Sequence, residues 1–292
     1  MKKAFSLFLI LLLGVYGVLS YLGSKSGAAN TYGIERRFWR AKALSQKIVV
    51  NSDSTPPSLF EESRKRFEEI IKDYPNHHAL IKESNLSIAG LLIYEKKYQE
   101  ARNFLNKVQK EYPKDKAFGA RSQFLLGFSS EREGNWEAAL KEYRVLRDRY
   151  PESQVGLEIP LYIARHDLKT DTQKGSESYE AAADYYRRLI QGNPKTPLQF
   201  LAFNYLLGGY EEQKKWDKAL EVLRELVMTY PRMSRNYFLR IDAYGLRLKQ
   251  PEKAIAIYKS LIQSYPDHQD AALFKKRIER LKAISRGRKN VS

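Results

Sequence analysis

The chain has no cysteine. That removes disulfides, thiolate metal sites, Fe–S clusters, a catalytic thiol and a lipid-modified N-terminal cysteine. Histidine is nearly as scarce, with only His77, His78, His166 and His268. His77 and His78 are chain neighbours in a turn and point different ways, and His166 beside Asp167 reads as two helix neighbours rather than an acid–base pair. The 16 glycines are scattered, with no cluster of the kind that cradles a phosphate. No Ser/His/Asp elbow or paired-carboxylate cleft is visible. These absences point away from an enzyme and call for no cofactor and no metal. The chain is 43% hydrophobic, which supports a sizeable core and is too apolar for disorder.

Long uncharged runs are absent too, except one. Ala4 to Leu22 carries no charge over 19 residues and follows Lys2 and Lys3. As a helix it would be about 28 Å long, close to the hydrocarbon thickness of a bilayer. It reads as an N-terminal membrane anchor or as a signal peptide cut near Gly27-Ala28-Ala29. Signal cores run about 7–15 residues, so the length favours the anchor. A buried helix of a soluble domain is disfavoured because the run has no polar face. In either reading the two lysines stay in the cytoplasm and the rest lies outside it. Gly23 to Gly27 then serves as a short spacer.

What the sequence does have is a ladder of prolines. Pro75, Pro113, Pro151, Pro194, Pro231 and Pro266 stand 35 to 43 residues apart, and five of them follow a tyrosine (Tyr74, Tyr112, Tyr150, Tyr230, Tyr265), with Asn193 in the remaining slot. Twelve residues before each proline stand Ser63, Ala101, Ala139, Ala182, Ala219 and Ala254. Eight before stand Phe67, Leu105, Tyr143, Tyr186, Leu223 and Tyr258; five before stand Ile70, Val108, Leu146, Leu189, Leu226 and Leu261. Steps of four and three put all three positions on one helical face. The small residue admits a neighbouring helix, and proline ends the helix. A second helix precedes each: Phe124 to Phe128 with Gly127, then Gly134-Asn135-Trp136, and again Tyr205 to Gly208, then Trp216.

This pattern resembles the tetratricopeptide repeat over about residues 32–267. The resemblance implies an all-α solenoid of helix-turn-helix pairs, a right-handed superhelix with an inner groove lined mainly by the first helix of each pair. The domain reading is residues 1–30 as anchor or signal with a linker, 31–268 as about six repeats, and 269–292 as a capping helix and basic tail. Thr170 to Ser176 is expected to be a polar loop, Ser58-Leu59-Phe60-Glu61 a capping box, and Asp270 to Ile284 the last helix. The long spacing and repeated Tyr-Pro also look like bacterial envelope proteins of the BamD-like and Tol-Pal-associated periplasmic types. The BamD-like proteins carry a lipidated cysteine that this chain lacks, which favours a membrane-anchored or secreted relative. The expected location is therefore the bacterial inner membrane with the repeats in the periplasm or exterior, or the periplasm after cleavage.

Mapped on the frame of Gly127, the groove would present Arg121, Phe124, Phe128 and Glu131 from the third repeat, Tyr205 and Glu212 from the fifth, and Tyr237, Arg240, Tyr244 and Arg247 from the sixth. Aromatics beside arginines make good anchors for a protein partner, and the competing reading is that several of the tyrosines pack between helices. The expected function is a non-catalytic scaffold for envelope proteins, with residues 4–22 as membrane contact if uncleaved.

The net charge of +17 has an address. Three of the excess charges lie in residues 1–30 and seven in 275–289, which leaves seven over the repeats. That is not a nucleic-acid footprint. The tail residues Lys275, Lys276, Arg277, Arg280, Lys282, Arg286, Arg288 and Lys289 offer an alternative function, engagement of anionic lipid or cell-wall polymer. The plain reading is a solvated capping helix.

Overall fold

The computed structural model describes residues 28–232 and 235–289. These form thirteen α-helices: α1 (Ala28–Val50), α2 (Pro57–Asp73), α3 (His78–Tyr94), α4 (Tyr98–Glu111), α5 (Lys116–Arg132), α6 (Trp136–Arg149), α7 (Gln154–Thr170), α8 (Thr172–Gly192), α9 (Pro197–Glu212), α10 (Trp216–Thr229), α11 (Arg235–Arg247), α12 (Pro251–Ser264) and α13 (Ala271–Lys289). A 3-10 turn, Ser52–Ser54, lies between α1 and α2. The uncharged segment 4–22 lies outside the described residues. Among those described, no helix is long and apolar enough to cross a membrane.

The chain divides into two compact units, Met1–Ser153 and Gln154–Ser292. In the first, each helix packs on the next, and α3 also packs on α1 and α5. In the second, α9 packs on α7 as well as on its neighbours, α10 on α12, and α13 closes on α12.

The proline ladder marks the second helix of each pair. All six residues at the −12 position and all six at −8 are buried. At −5, Ile70, Val108, Leu146, Leu226 and Leu261 are buried, whereas Leu189 is only half-buried and Ile190 takes the core place. Each helix stops at the residue before proline, in one backbone state: φ between −136° and −126°, ψ between 49° and 71°. The proline ring denies that residue the α region, so the helix ends there whatever the side chain. Asn193 fits the same state as the tyrosines and bonds back to the Leu189 carbonyl at 2.9 Å. The tyrosines turn inward on neighbouring helices. Tyr230 donates to Gln199 Oε1 at 2.7 Å, Tyr265 donates to the Met228 carbonyl at 2.6 Å, and Tyr74 accepts from Arg37 at 2.9 Å. The Tyr150 hydroxyl occupies space that a side chain at Gly119 would need.

The turn inside four of the pairs is also one design. Residues 95–97, 133–135, 213–215 and 248–250 join the helices, and the middle residue is left-handed: Lys96 (φ 66°), Gly134 (φ 90°), Lys214 (φ 56°) and Lys249 (φ 57°). In each, its N–H bonds three residues back and the next N–H five residues back, closing the free carbonyls of the first helix.

Three local expectations give way. Thr170 to Ser176 is not a loop. Asp171 alone joins α7 to α8, its carboxylate accepting from the Lys174 N–H at 2.9 Å, and the extra residues lengthen α8 to 21. Gly175 makes this hairpin feasible, since a Cβ there would collide with the Leu168 backbone. No capping box forms at Ser58, because Pro56 is the N-cap and Pro57 opens the helix with its preset φ. The last helix runs on from Ala271 to Lys289.

Candidate functional site

With no catalytic constellation visible in the sequence, the place to look is the face made by the first helices of each pair. In the unit Met1–Ser153 these are α1, α3 and α5. Arg121 on α5 grips Glu83 on α3 through both guanidinium nitrogens, one at 2.9 Å, and this contact holds the Glu83 carboxyl below the usual carboxylate range. Lys42 on α1 reaches Ser87 on α3 at 3.4 Å. Phe124 and Phe128 lie one turn apart with nearly parallel rings, 6.0 Å between centroids. Phe124 also stacks on Tyr143 and Phe128 contacts Tyr94, and both phenylalanines stay half-buried. Glu131 accepts from the Tyr143 hydroxyl at 2.6 Å.

In the unit Gln154–Ser292 the same face is made by α7, α9 and α11. Arg165 bonds both oxygens of Glu212, at 2.6 and 3.0 Å, and Tyr179 donates to Glu212 at 2.8 Å. Burial opposes ionisation of Glu212, but the arginine and tyrosine bonds outweigh it and lower its pKa. Burial, then the Glu212 bond, pushes Tyr179 up to about 12. Tyr205 stacks on Tyr186 at 5.7 Å and donates to Glu158, and burial raises it to about 12 as well. Tyr237 donates to Asn204 at 2.6 Å. Arg240 and Tyr244 both bond Glu211, the former at 2.9 Å through Nε. Arg247 lies over the Trp216 ring at 4.4 Å and near Tyr244 at 5.8 Å.

The structure therefore places every expected groove residue on first helices and gives most of them partners within the chain. Tyr244 is only 6% exposed and is part of the packing. Two residues that sequence reasoning missed are more open: Leu201 on α9 (41% exposed) and Leu239 on α11 (53%). Their signal in the sequence is an apolar residue off the core stripe of a first helix, which a reading by aromatic and charged types passes over.

The basic tail divides. Arg277 is tied to Asp242 with little exposure on either side chain, and Lys282 pairs with Glu279 at 2.7 Å. Lys275, Lys276, Arg280 and Arg286 are exposed, and the side chains of Arg288 and Lys289 lie outside the described ones.

The other cluster worth testing for chemistry surrounds Asp167, which is 2% exposed. Ser178 donates to it at 2.6 Å, His166 Nδ1 lies 3.7 Å away and Lys174 Nζ 3.5 Å. The serine hydroxyl gives its proton to the carboxylate and not to an imidazole, so the order of a proton relay is missing. The cluster ties α7 to α8. Among the described residues, no group of three His, Asp or Glu converges to hold a metal.

The tetratricopeptide repeat family matches residues 84–115, 121–153 and 236–268, which are the second, third and sixth helix pairs. No curated protein matches the chain closely enough to be called similar. Among solved structures, a thermophilic TPR protein of Thermus thermophilus is 17% identical, covering 68% of this chain and 98% of its own, with a TM-score of 0.34. A tetratricopeptide repeat protein from Parabacteroides merdae is 12% identical, with 85% and 99% covered and a TM-score of 0.34. The TPR2AB domain of yeast Sti1, solved in complex with a pHSP90, is 11% identical, with 84% and 98% covered and a TM-score of 0.32.

Proposed function

We propose that this tetratricopeptide-repeat protein is a non-catalytic scaffold of the bacterial cell envelope that holds partner proteins on the first-helix faces of its repeats. Tetratricopeptide repeats typically mediate protein–protein interaction. The observation that carries the reading here is the state of those faces. Arg121–Glu83, Arg165–Glu212 and Arg240–Glu211 are already paired within the chain, while Phe124 and Phe128 in one unit stay half-buried and Leu201 and Leu239 in the other keep apolar surface open. Apolar surface framed by satisfied polar groups favours a partner segment with apolar side chains of its own. The envelope location rests on the sequence, on the uncharged run Ala4 to Leu22 behind two lysines. On this reading the repeats face the periplasm or exterior, as in the BamD-like and Tol-Pal-associated proteins.

The test is crosslinking in intact cells followed by affinity capture. The wild type is run beside Leu201→Ser with Leu239→Ser, which touch exposed side chains; Phe128→Ser and Tyr244→Ala would damage packing instead. Envelope proteins lost in the double variant, with an unchanged circular dichroism melt, support the scaffold. An unchanged set of captured proteins defeats it.

A second reading is favoured by the four exposed cations of α13: a surface that engages anionic lipid or wall polymer. Truncating residues 275–292 is a poor test, because it removes Ile278 and Leu281 from the core. Substituting Lys275, Lys276, Arg280 and Arg286 by glutamine leaves the core alone. Retained association with membranes or wall material in that variant argues against the second reading.

A further inference from the structure

The first helix, α1, carries two apolar lines on opposite sides. One is the ordinary core line: Ile34, Phe38, Ala41 and Ile48, all buried, with buried Ser45 among them. The other points away from the repeats. At about 100° per residue, Tyr32, Trp39, Ala43 and Val50 fall within about 40° of one line down the helix. Tyr32 is 70% exposed, Trp39 64% and Val50 80%, the three most exposed large hydrophobic residues among those described. A solvent-facing end helix needs no such line.

The flanks of this line are mainly basic. Arg36, Arg40 and Lys47 are exposed along one side, with Glu35 and Gln46 along the other. Arg37 is already engaged with Asp73 and Tyr74 at the end of α2. Tryptophan and tyrosine flanked by arginine and lysine are the residue types that settle at the headgroup layer of a membrane. The position fits as well. Six residue steps separate Leu22 from Ala28, so α1 begins at most about 20 Å from the end of the uncharged run, however the steps are arranged.

We infer that the Tyr32–Trp39–Ala43–Val50 line of α1 docks on the headgroup region of an anionic bilayer, beside the point where residues 4–22 enter it. This rests on the reading of residues 4–22 as an uncleaved anchor. The helix then lies along the surface over the roughly 27 Å from Tyr32 to Val50, aromatic rings toward the lipid and arginines at the phosphates.

The absence of cysteine makes the test direct. Full-length chain with Ala43→Cys carries a nitroxide in the middle of the line; a second version with Lys141→Cys on α6 is the control. Each is reconstituted in vesicles of phosphatidylcholine with a quarter phosphatidylglycerol, and flotation is scored together with the accessibility of the label to oxygen and to a water-soluble nickel chelate. The expected result is flotation of both, with the oxygen-to-nickel ratio at residue 43 severalfold above that at 141. Tyr32→Ser with Trp39→Ser brings the ratio at 43 down to the control value while flotation persists. Flotation with an aqueous ratio at residue 43 overturns the docking and leaves the anchor standing. Absence of flotation overturns the anchor and the docking with it. Dipolar coupling between labels at residue 43 of two copies, with an aqueous ratio, would give the line to self-association and also overturn the inference.

Discussion

The third and sixth repeats both place a fully buried tyrosine eight residues before the proline, and they make room for it in opposite ways. Tyr143 lies against Gly127, where a Cβ would stand 2.5 Å from the ring, and its hydroxyl reaches out to Glu131. Tyr258 has Asp242 at the equivalent place, sixteen residues earlier. Its hydroxyl bonds the Asp242 carboxylate and the Phe238 carbonyl, both at 2.7 Å, and Asp242 in turn holds Arg277 of the last helix. Burial, then the Asp242 charge, raises the Tyr258 pKa far above its ordinary value. Where leucine takes the place of tyrosine, the facing residue is Ala89 in the second repeat and Leu207 in the fifth. One repeat thus solves the problem with space, the other with a polar network that also fastens the cap. In these two repeats, volume and polarity at two positions sixteen apart are a single specification.

The strongest way to break the comparison is at the polar end. Asp242→Ala leaves the Arg277 guanidinium without its main partner in a buried setting, and about 3 kcal/mol of stability is expected to go. Urea unfolding followed by circular dichroism measures it; a midpoint within error of the wild type would show that the network contributes nothing. Gly127→Ala should cost about 1–3 kcal/mol through overpacking against Tyr143. Adding Tyr143→Leu recreates the Ala89–Leu105 arrangement of the second repeat and should recover most of the loss, which a double-mutant cycle reads directly. If the double variant is as unstable as the sum of the singles, the two sites are not coupled.

A smaller effect tests the turns. Lys96→Gly, Lys214→Gly and Lys249→Gly should each gain up to about 1 kcal/mol by removing the Cβ from a left-handed backbone, and Gly134→Lys should lose a similar amount. Thermal melts of the four single variants would expose any turn that departs from the rest.

The smallest effect is electrostatic. Glu83, Asp115 and Glu212 all have lowered pKa values, Glu83 and Asp115 chiefly through their Arg121 and Lys82 bonds. A carboxylate lowered in the folded chain contributes stability above its ordinary pKa and loses it as pH falls through the folded value. The melting temperature should therefore hold near neutrality and fall once pH drops below about 4.5, the usual glutamate value. Glu83→Gln should change the neutral melt little, since that pair is about half-exposed and such pairs contribute about 0–1 kcal/mol, yet flatten the acid limb slightly. An unaltered acid limb would remove Glu83 from this account.

The repeat length, the helix pairs and the core register were legible in the sequence because each is enforced locally. Proline stops a helix irrespective of context, and a buried face has a period. The breaks in legibility have equally local causes. A polar stretch from Thr170 to Ser176 reads as loop by composition, but a one-residue joint becomes available when Asp171 caps the next helix and Gly175 lets it approach. The likeness of Gly208 to Gly127 misled by one position, since counting from the turn sets Leu207 opposite Leu223. The groove was the least legible part. Residue type put Tyr244 and Arg240 in it, but whether a side chain is spent on a neighbouring helix depends on contacts 29 to 47 residues away, which no window of sequence contains.

The packing of each helix on its nearest neighbours along the chain has a kinetic side. Contacts that close short loops form early and cost little chain entropy, so helix pairs within a unit can assemble in more than one order, and opening can start at a terminal pair while interior ones stay shut. Amide exchange should grade along each unit instead of falling in a single cooperative step, and a defect such as the one at Gly127 should quicken exchange in its own pair and the adjoining helices before it is felt further along.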